Sequence, residues 1–120
     1  MPRSFKVCLE LERPYRFLYN DIKSAFINMG YRIVEEESDR LVFEKGSKIA
    51  TYIGLINWNL VYRKVLVEIY RVRRKRTLVY LTYNFSWLTS IPILIRAARN
   101  ELIDLSEQLG ARDIKVLKYR

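Results

Sequence analysis

The alternation of apolar and polar positions divides the chain into strand-like and helix-like stretches with clear breaks between them. Phe5, Val7, Leu9 and Leu11 alternate with Lys6, Cys8 and Glu10, the period of a half-buried strand. Pro14 stops that strand and suits the first turn of a helix, where its missing N–H costs nothing. Tyr15, Leu18, Ile22, Ala25, Phe26 and Met29 then recur at three- and four-residue spacing, and Gly30 stands where a left-handed C-cap is wanted; the spacing predicts a helix over about 14–29. Arg16, Asn20, Asp21 and Lys23 fall on its wet side. Tyr31 to Glu37 and Arg40 to Lys45 read as a hairpin turning at Ser38-Asp39, with Ile33, Val34, Leu41, Val42 and Phe43 supplying the strand sides.

Residues 48–62 mix two periods: Ile49, Tyr52, Ile53 and Ile56 fit a short helix, while Thr51, Ile53 and Leu55 fit a strand. A loop containing a helical turn is the expected compromise. Lys64 to Phe85 reads as two long alternating strands meeting at Arg73, Arg74, Lys75 and Arg76, and the chain is organised around this pair. Ser90 as N-cap and Pro92 in the first turn then open a second helix. Its stripe is Leu94, Ala98, Leu102, Leu105 and Leu109, opposed by Arg96, Arg99, Asn100, Asp104 and Glu107, and Gly110 closes it. Asp113 to Lys118 alternates enough for a short extra strand.

The expected fold class is therefore α+β: one domain over residues 1–120, with a mostly antiparallel sheet of about five strands, room for a short sixth at the C-terminus, and two long helices on one face. In its order of elements, strand, helix, four strands, helix, the chain resembles the TBP-like or helix-grip arrangement. The resemblance covers roughly residues 5–109 and rests on element order, so it carries over no functional residue. It does imply, as one option, a cavity between the sheet and the second helix that takes an apolar ligand.

A tight turn through Arg73 to Arg76 would set Val72 opposite Thr77, Tyr70 opposite Val79, Glu68 opposite Leu81 and Leu66 opposite Tyr83. The other face would then carry Val65, Val67, Ile69 and Arg71 against Asn84, Thr82, Tyr80 and Leu78. Both faces come out substantially apolar. The pattern places Val65, Val67, Ile69 and Leu78 against the core, and leaves Tyr70, Tyr83 and Phe85 on an outer face large enough to require a cover.

Composition changes this picture in three ways. Half of the 120 residues are hydrophobic and 29% are charged, a globular balance, and the formal charge of +9 favours polyanionic partners. A lone cysteine, Cys8, excludes an intrachain disulfide and a cysteine-based zinc site, and there is no histidine. No apolar run reaches the ~20 residues that span a bilayer. A cytoplasmic protein is expected, with neither metal nor cofactor.

The basic tip, Arg71, Arg73, Arg74, Lys75 and Arg76, is the candidate contact for nucleic acid or an acidic partner, because a two-stranded ribbon can enter a groove while its cations neutralise phosphates. The plainer reading is a solvated hairpin end that discourages edge-to-edge association. Arg63, Lys64, Arg96, Arg99, Lys115, Lys118 and Arg120 would extend the basic surface if they shared a face. Tyr52, Trp58, Tyr62, Trp87 and Leu88 are the candidate lining of an apolar pocket, against ordinary core packing by the tryptophans. A homodimer contact through the outer sheet face or the tail strand is a third option. Glu10 with Glu12, and the run Glu35 to Glu37, read as solvated carboxylates, and nothing supplies a nucleophile with an activating base. The expectation is thus a non-enzymatic binding module, with nucleic acid or an acidic partner at the basic tip as the main reading. The alternatives are a helix-grip binder of an apolar small molecule or lipid, and a homodimeric scaffold.

Overall fold

A computed structural model describes residues 4–46, 62–73, 76–85, 92–110 and 113–119. Its elements follow the chain as β1 (Ser4–Leu11), α1 (Tyr15–Asn28), β2 (Arg32–Glu36), β3 (Arg40–Lys45), β4 (Arg63–Arg73), β5 (Arg76–Phe85), α2 (Pro92–Leu109) and β6 (Asp113–Tyr119). The strands form one six-stranded antiparallel sheet in the order β2-β3-β4-β5-β1-β6. Neighbours in sequence pair from β2 to β5, and β1 returns to the far side of β5, which places the β4–β5 hairpin at the sheet's centre. Among the described residues no helix is long and apolar enough to cross a membrane. The expected α+β class is thus observed. The tail strand is present too, paired with β1. Residues 48–61, with the mixed periodicity, and Ser90 lie outside the described residues.

Both helices cover one face of the sheet, and the helical stripes account for this. Leu18, Ile22, Ala25 and Phe26 of α1 and Ala98, Leu102, Leu105 and Leu109 of α2 are buried against Val7, Leu9 and Leu11, Leu41 and Phe43, Val65, Val67 and Ile69, and Val79 and Leu81. Each fully buried aliphatic side chain stabilises the fold by roughly 1.5–3 kcal/mol. Phe26 stacks on Phe43 with ring centroids 4.6 Å apart and meets Tyr31 edge-on at 5.1 Å, locking the end of α1 to β3. Gly30 ends that helix at φ 93, a left-handed conformation that a Cβ would strain.

The hairpin register differs from the sequence expectation by one residue. Val65 pairs with Tyr83, Val67 with Leu81 and Ile69 with Val79, while Arg71 pairs with Thr77 and Arg73 with Arg76. Two steps on β4 thus match one step on β5, so Val72 is an extra residue that bulges the strand near its tip. A one-residue shift exchanges the faces of a strand. Val79, Leu81, Tyr83 and Phe85 are therefore buried, and Leu78 is half-buried on the outer face. The placement of Leu78 in the core, and of Tyr83 and Phe85 outside it, is corrected accordingly; Val65, Val67 and Ile69 are in the core as expected.

With that register the outer face is not a continuous apolar sheet. Leu66, Leu78 and Tyr80 are each half-buried, and Glu68, Lys6 and Thr82 stand among them in adjacent rows. Tyr70 meets Tyr80 edge-on at 5.4 Å and donates to Glu68 at 3.1 Å, and the Lys6 ammonium lies 5.1 Å from the centre of the Tyr80 ring. Cys8 is half-buried on this face, hydrogen-bonded to Tyr80.

Candidate functional site

The described residue that least fits an apolar core is Arg63, whose side chain is fully buried. It opens β4 in the alternation Arg63, Val65, Val67, Ile69, so the strand that builds the core also turns this guanidinium inward. The Arg63 Nε donates to the Tyr31 hydroxyl at 2.8 Å, and Tyr31 donates to Glu101 Oε2 at 2.8 Å. Tyr83, the partner of Val65 on β5, donates to the same carboxylate oxygen at 2.8 Å. Arg63 Nη2 lies 3.7 Å from Glu101 Oε1, and its guanidinium sits over the Tyr31 ring at 5.1 Å. One helix, two strands and the residue after Gly30 thus converge on a single buried polar network beneath α2.

Lys45 borders this network from the end of β3. Its Nζ donates to the Met29 carbonyl at 2.6 Å and stands 5.6 Å from the centre of the Tyr31 ring. The lysine stem crosses Gly30 so closely that a Cβ there would come 3.3 Å from the Lys45 Cε. A cation at the open carbonyl end of α1 is also placed well for the helix dipole.

Burial sets the ionisation states. It pushes the Tyr83 phenol far above its ordinary range, and the Glu101 carboxylate pushes it further. Tyr31 is raised by the same two causes in the same order, with Arg63 pulling the other way. Burial lowers the Lys45 ammonium, and the charge of Arg63 adds to that, while Glu101 opposes it. Near neutrality the site therefore presents two protonated phenols around a carboxylate, within apolar surroundings. Such a constellation can fix the polar end of a bound molecule and exclude water around it.

The structure disperses most of the site residues read from the sequence. At the basic tip, Arg71 turns to the helix side and lies over the Tyr15 ring at 5.1 Å, whereas Arg76 pairs with Glu10 on the outer face. Arg73 is exposed, and Arg74 and Lys75 lie outside the described residues. Tyr52, Trp58, Trp87 and Leu88 also lie outside them. Tyr62 is half-buried and donates to Glu44 at 3.0 Å on the side of β3 opposite Phe43, so it does not join Arg63. Arg63 itself, expected to extend a basic surface, is the centre of the interior network. Glu36, from the acidic run, accepts from Lys23 at 2.7 Å and from Tyr19 at 2.9 Å, tying β2 to α1. These bonds hold the Glu36 carboxyl below its ordinary range, and burial first, then Glu36, pushes the Tyr19 phenol up to about 12.

Glu101 is the residue that sequence reasoning missed, and a signal for it existed. It stands three residues after Ala98 and four before Leu105, a carboxylate within the apolar stripe of α2. Tyr83 was hidden by the register.

Compared by sequence, the chain matches no protein-family model and no curated protein. Compared by structure, it is similar to an HSP90 activator from Plasmodium falciparum, at 15% identity and a TM-score of 0.60, over 94% of this chain and 99% of that one. It is also similar to the Zhui aromatase/cyclase from Streptomyces sp. R1128, at 15% identity and a TM-score of 0.50, over 92% of this chain and 93% of that one. The second likeness corrects the exclusion of an enzyme: this arrangement of elements carries an aromatase/cyclase, so the lack of histidine and of a nucleophile with its base does not rule out catalysis here. At this identity the likeness assigns neither a reaction nor a partner, and it shows that the chain has a helix-grip-type α+β fold.

Proposed function

We propose that this chain binds an apolar small molecule between its sheet and α2, with the Arg63–Tyr31–Glu101–Tyr83 network fixing the molecule's polar end. The observation that carries this reading is the network itself. Burying an ion pair costs several kcal/mol per charge, and hydrophobic replacements of the same volume are often at least as stable, so the stability of the core alone does not call for Arg63 and Glu101. Ligand sites are typically apolar concavities with a few convergent polar groups, and here such groups meet at the end of the sheet where residues 46–62 and 86–91 join β3 to β4 and β5 to α2. Trp58 and Trp87 belong to those two connections in sequence. The fold likeness to an aromatase/cyclase supports the same reading, since a small-molecule activity is named for that neighbour. The basic tip gains less support, because Arg71 and Arg76 are engaged on opposite faces.

The test is titration with a neutral, environment-sensitive apolar dye such as Nile red. Saturable one-to-one binding is expected, with quenching of tryptophan fluorescence and a single adduct in native mass spectrometry. Dye uptake that never saturates, or that follows only partial unfolding, would sink the reading.

A further inference from the structure

Two cationic side chains stand directly opposite each other on the inner face of the sheet. Lys45, at the end of β3, is the cross-strand partner of Arg63, at the start of β4. Like charges in directly opposed positions repel. Arg63 is fully buried and an arginine keeps its proton, whereas a lysine gives its proton up when burial or a neighbouring cation disfavours the ammonium. Lys45 meets both conditions: it is half-buried, its stem crosses Gly30, and its Nζ lies 5.6 Å from the centre of the Tyr31 ring. Burial and then the Arg63 charge lower its ammonium against the opposing pull of Glu101. The contact with the Met29 carbonyl at 2.6 Å does not require the charge, because a neutral amine also donates, and its lone pair then points away from that carbonyl. Lys23, by contrast, is held beside the Glu36 carboxylate, which favours the charged form. Lys45 also stands at the end of the sheet where the connection to β4 begins, next to the polar network.

We infer that Lys45 is a nucleophilic amine that captures the carbonyl group of an apolar aldehyde or ketone as an imine. This rests on the small-molecule reading above and adds the ligand's reactive group to it. The lone pair of the neutral Nζ adds to the carbonyl carbon, and the C–N bond forms as the C=O π pair moves to oxygen, which takes a proton from the nitrogen to give a carbinolamine. The C–O bond then breaks, and the second nitrogen proton leaves with that oxygen. One amine and one carbonyl thus yield one imine and one water, with no oxidant or reductant. An imine nitrogen is less basic than the amine it replaces, so the product sets a neutral group opposite Arg63. Water reverses the step, and an apolar body that excludes water holds the imine in place.

The experiment treats the full chain with hexanal or octanal and sodium cyanoborohydride, which reduces an imine to a stable secondary amine, and locates the adducts by peptide mass spectrometry. At neutral pH, Lys45 is expected to be labelled ahead of the exposed Lys64. Its labelling rate should rise about tenfold from hexanal to octanal, as two further methylenes enter an apolar site, while that of Lys64 stays level. Lys45→Arg retains a cation and a donor for the Met29 carbonyl but forms no imine, so it should lose the Lys45 adduct and its chain-length dependence while its melting temperature is unchanged. If that variant does not fold, the site and chain-length dependence of labelling in the parent decide the matter. Labelling spread evenly over exposed lysines, or a Lys45 rate indifferent to chain length, in a chain that binds Nile red saturably overturns the amine chemistry and leaves the small-molecule reading standing. Failure both to bind the dye and to label Lys45 overturns both.

Discussion

Glu101 occupies a position that the helical stripe of α2 would give to a leucine, and three other residues depend on it. Arg63, Tyr31 and Tyr83 each direct a donor at its carboxylate. Replacing Glu101 by Gln leaves the geometry nearly intact and removes the negative charge that faces the buried Arg63 guanidinium. Breaking a buried pair from one side costs about 3–5 kcal/mol, whereas replacing both partners by apolar residues of similar volume is often neutral. Glu101→Gln should therefore lower the unfolding free energy in urea by about that amount, and the paired change Arg63→Met with Glu101→Leu should regain most of it. A paired variant that loses ligand binding while recovering stability would separate the network's functional role from its structural one.

At the level of the element, the extra residue Val72 in β4 sets which residues of β4 pair with the buried side of β5. The alternation of β5 itself favours the observed inner face, with Thr77, Val79, Leu81, Tyr83 and Phe85 against Arg76, Leu78, Tyr80, Thr82 and Asn84, whereas a tight turn at the tip predicts the opposite pairing. The extra residue between Arg71 and Arg73 brings the pairing with β4 into agreement with that pattern, and the register then holds along the ladder one pair at a time. Truncation tests this directly. Leu81→Ala should cost about 2–5 kcal/mol in chemical denaturation, because it opens a cavity in the core. Leu78→Ala should cost roughly 1 kcal/mol or less, in proportion to its half-burial on the outer face. Equal costs at the two positions would contradict the observed register.

Taken as a whole, the molecule should be sensitive to alkali in a direction fixed by its buried phenols. Tyr31 and Tyr83 have folded-state pKa values raised above the 10.0 of the unfolded chain. Their contribution to stability is thus fully present below pH 10 and is lost as the pH climbs toward the folded values, because the unfolded chain releases protons that the fold retains. Lys45 acts with the opposite sign, since its folded pKa lies below 10.5 and its penalty fades as the pH rises toward that value. Tyr15, Tyr19, Tyr62, Tyr70 and Tyr80 are raised as well, and these phenols together outweigh one lowered lysine, giving a net fall. Urea midpoints should stay level to about pH 10 and then decline, with tyrosinate absorbance at 295 nm from the buried phenols rising together with unfolding. Tyr83→Phe should make that decline shallower while costing about 1 kcal/mol at neutral pH for the lost hydrogen bond. A decline as steep in Tyr83→Phe as in the parent would refute the assignment.

Short-range pattern carried much of this architecture. The spacing of Leu18, Ile22, Ala25 and Phe26 and of Ala98, Leu102, Leu105 and Leu109 determined both helices and the faces they bury, since helical periodicity is a local property with one apolar side. The alternation of β1, the β2–β3 hairpin and the long β4–β5 pair determined the strands, and the order of elements determined an antiparallel sheet with both helices on one face. Tertiary structure decided what depends on pairing between distant residues: the register of β4 with β5, the inward turn of Arg63, and the meeting of Tyr31, Tyr83 and Glu101, separated by up to 70 residues along the chain. A buried charge is tolerated only where partners from other elements reach it, and no local pattern records who those partners are.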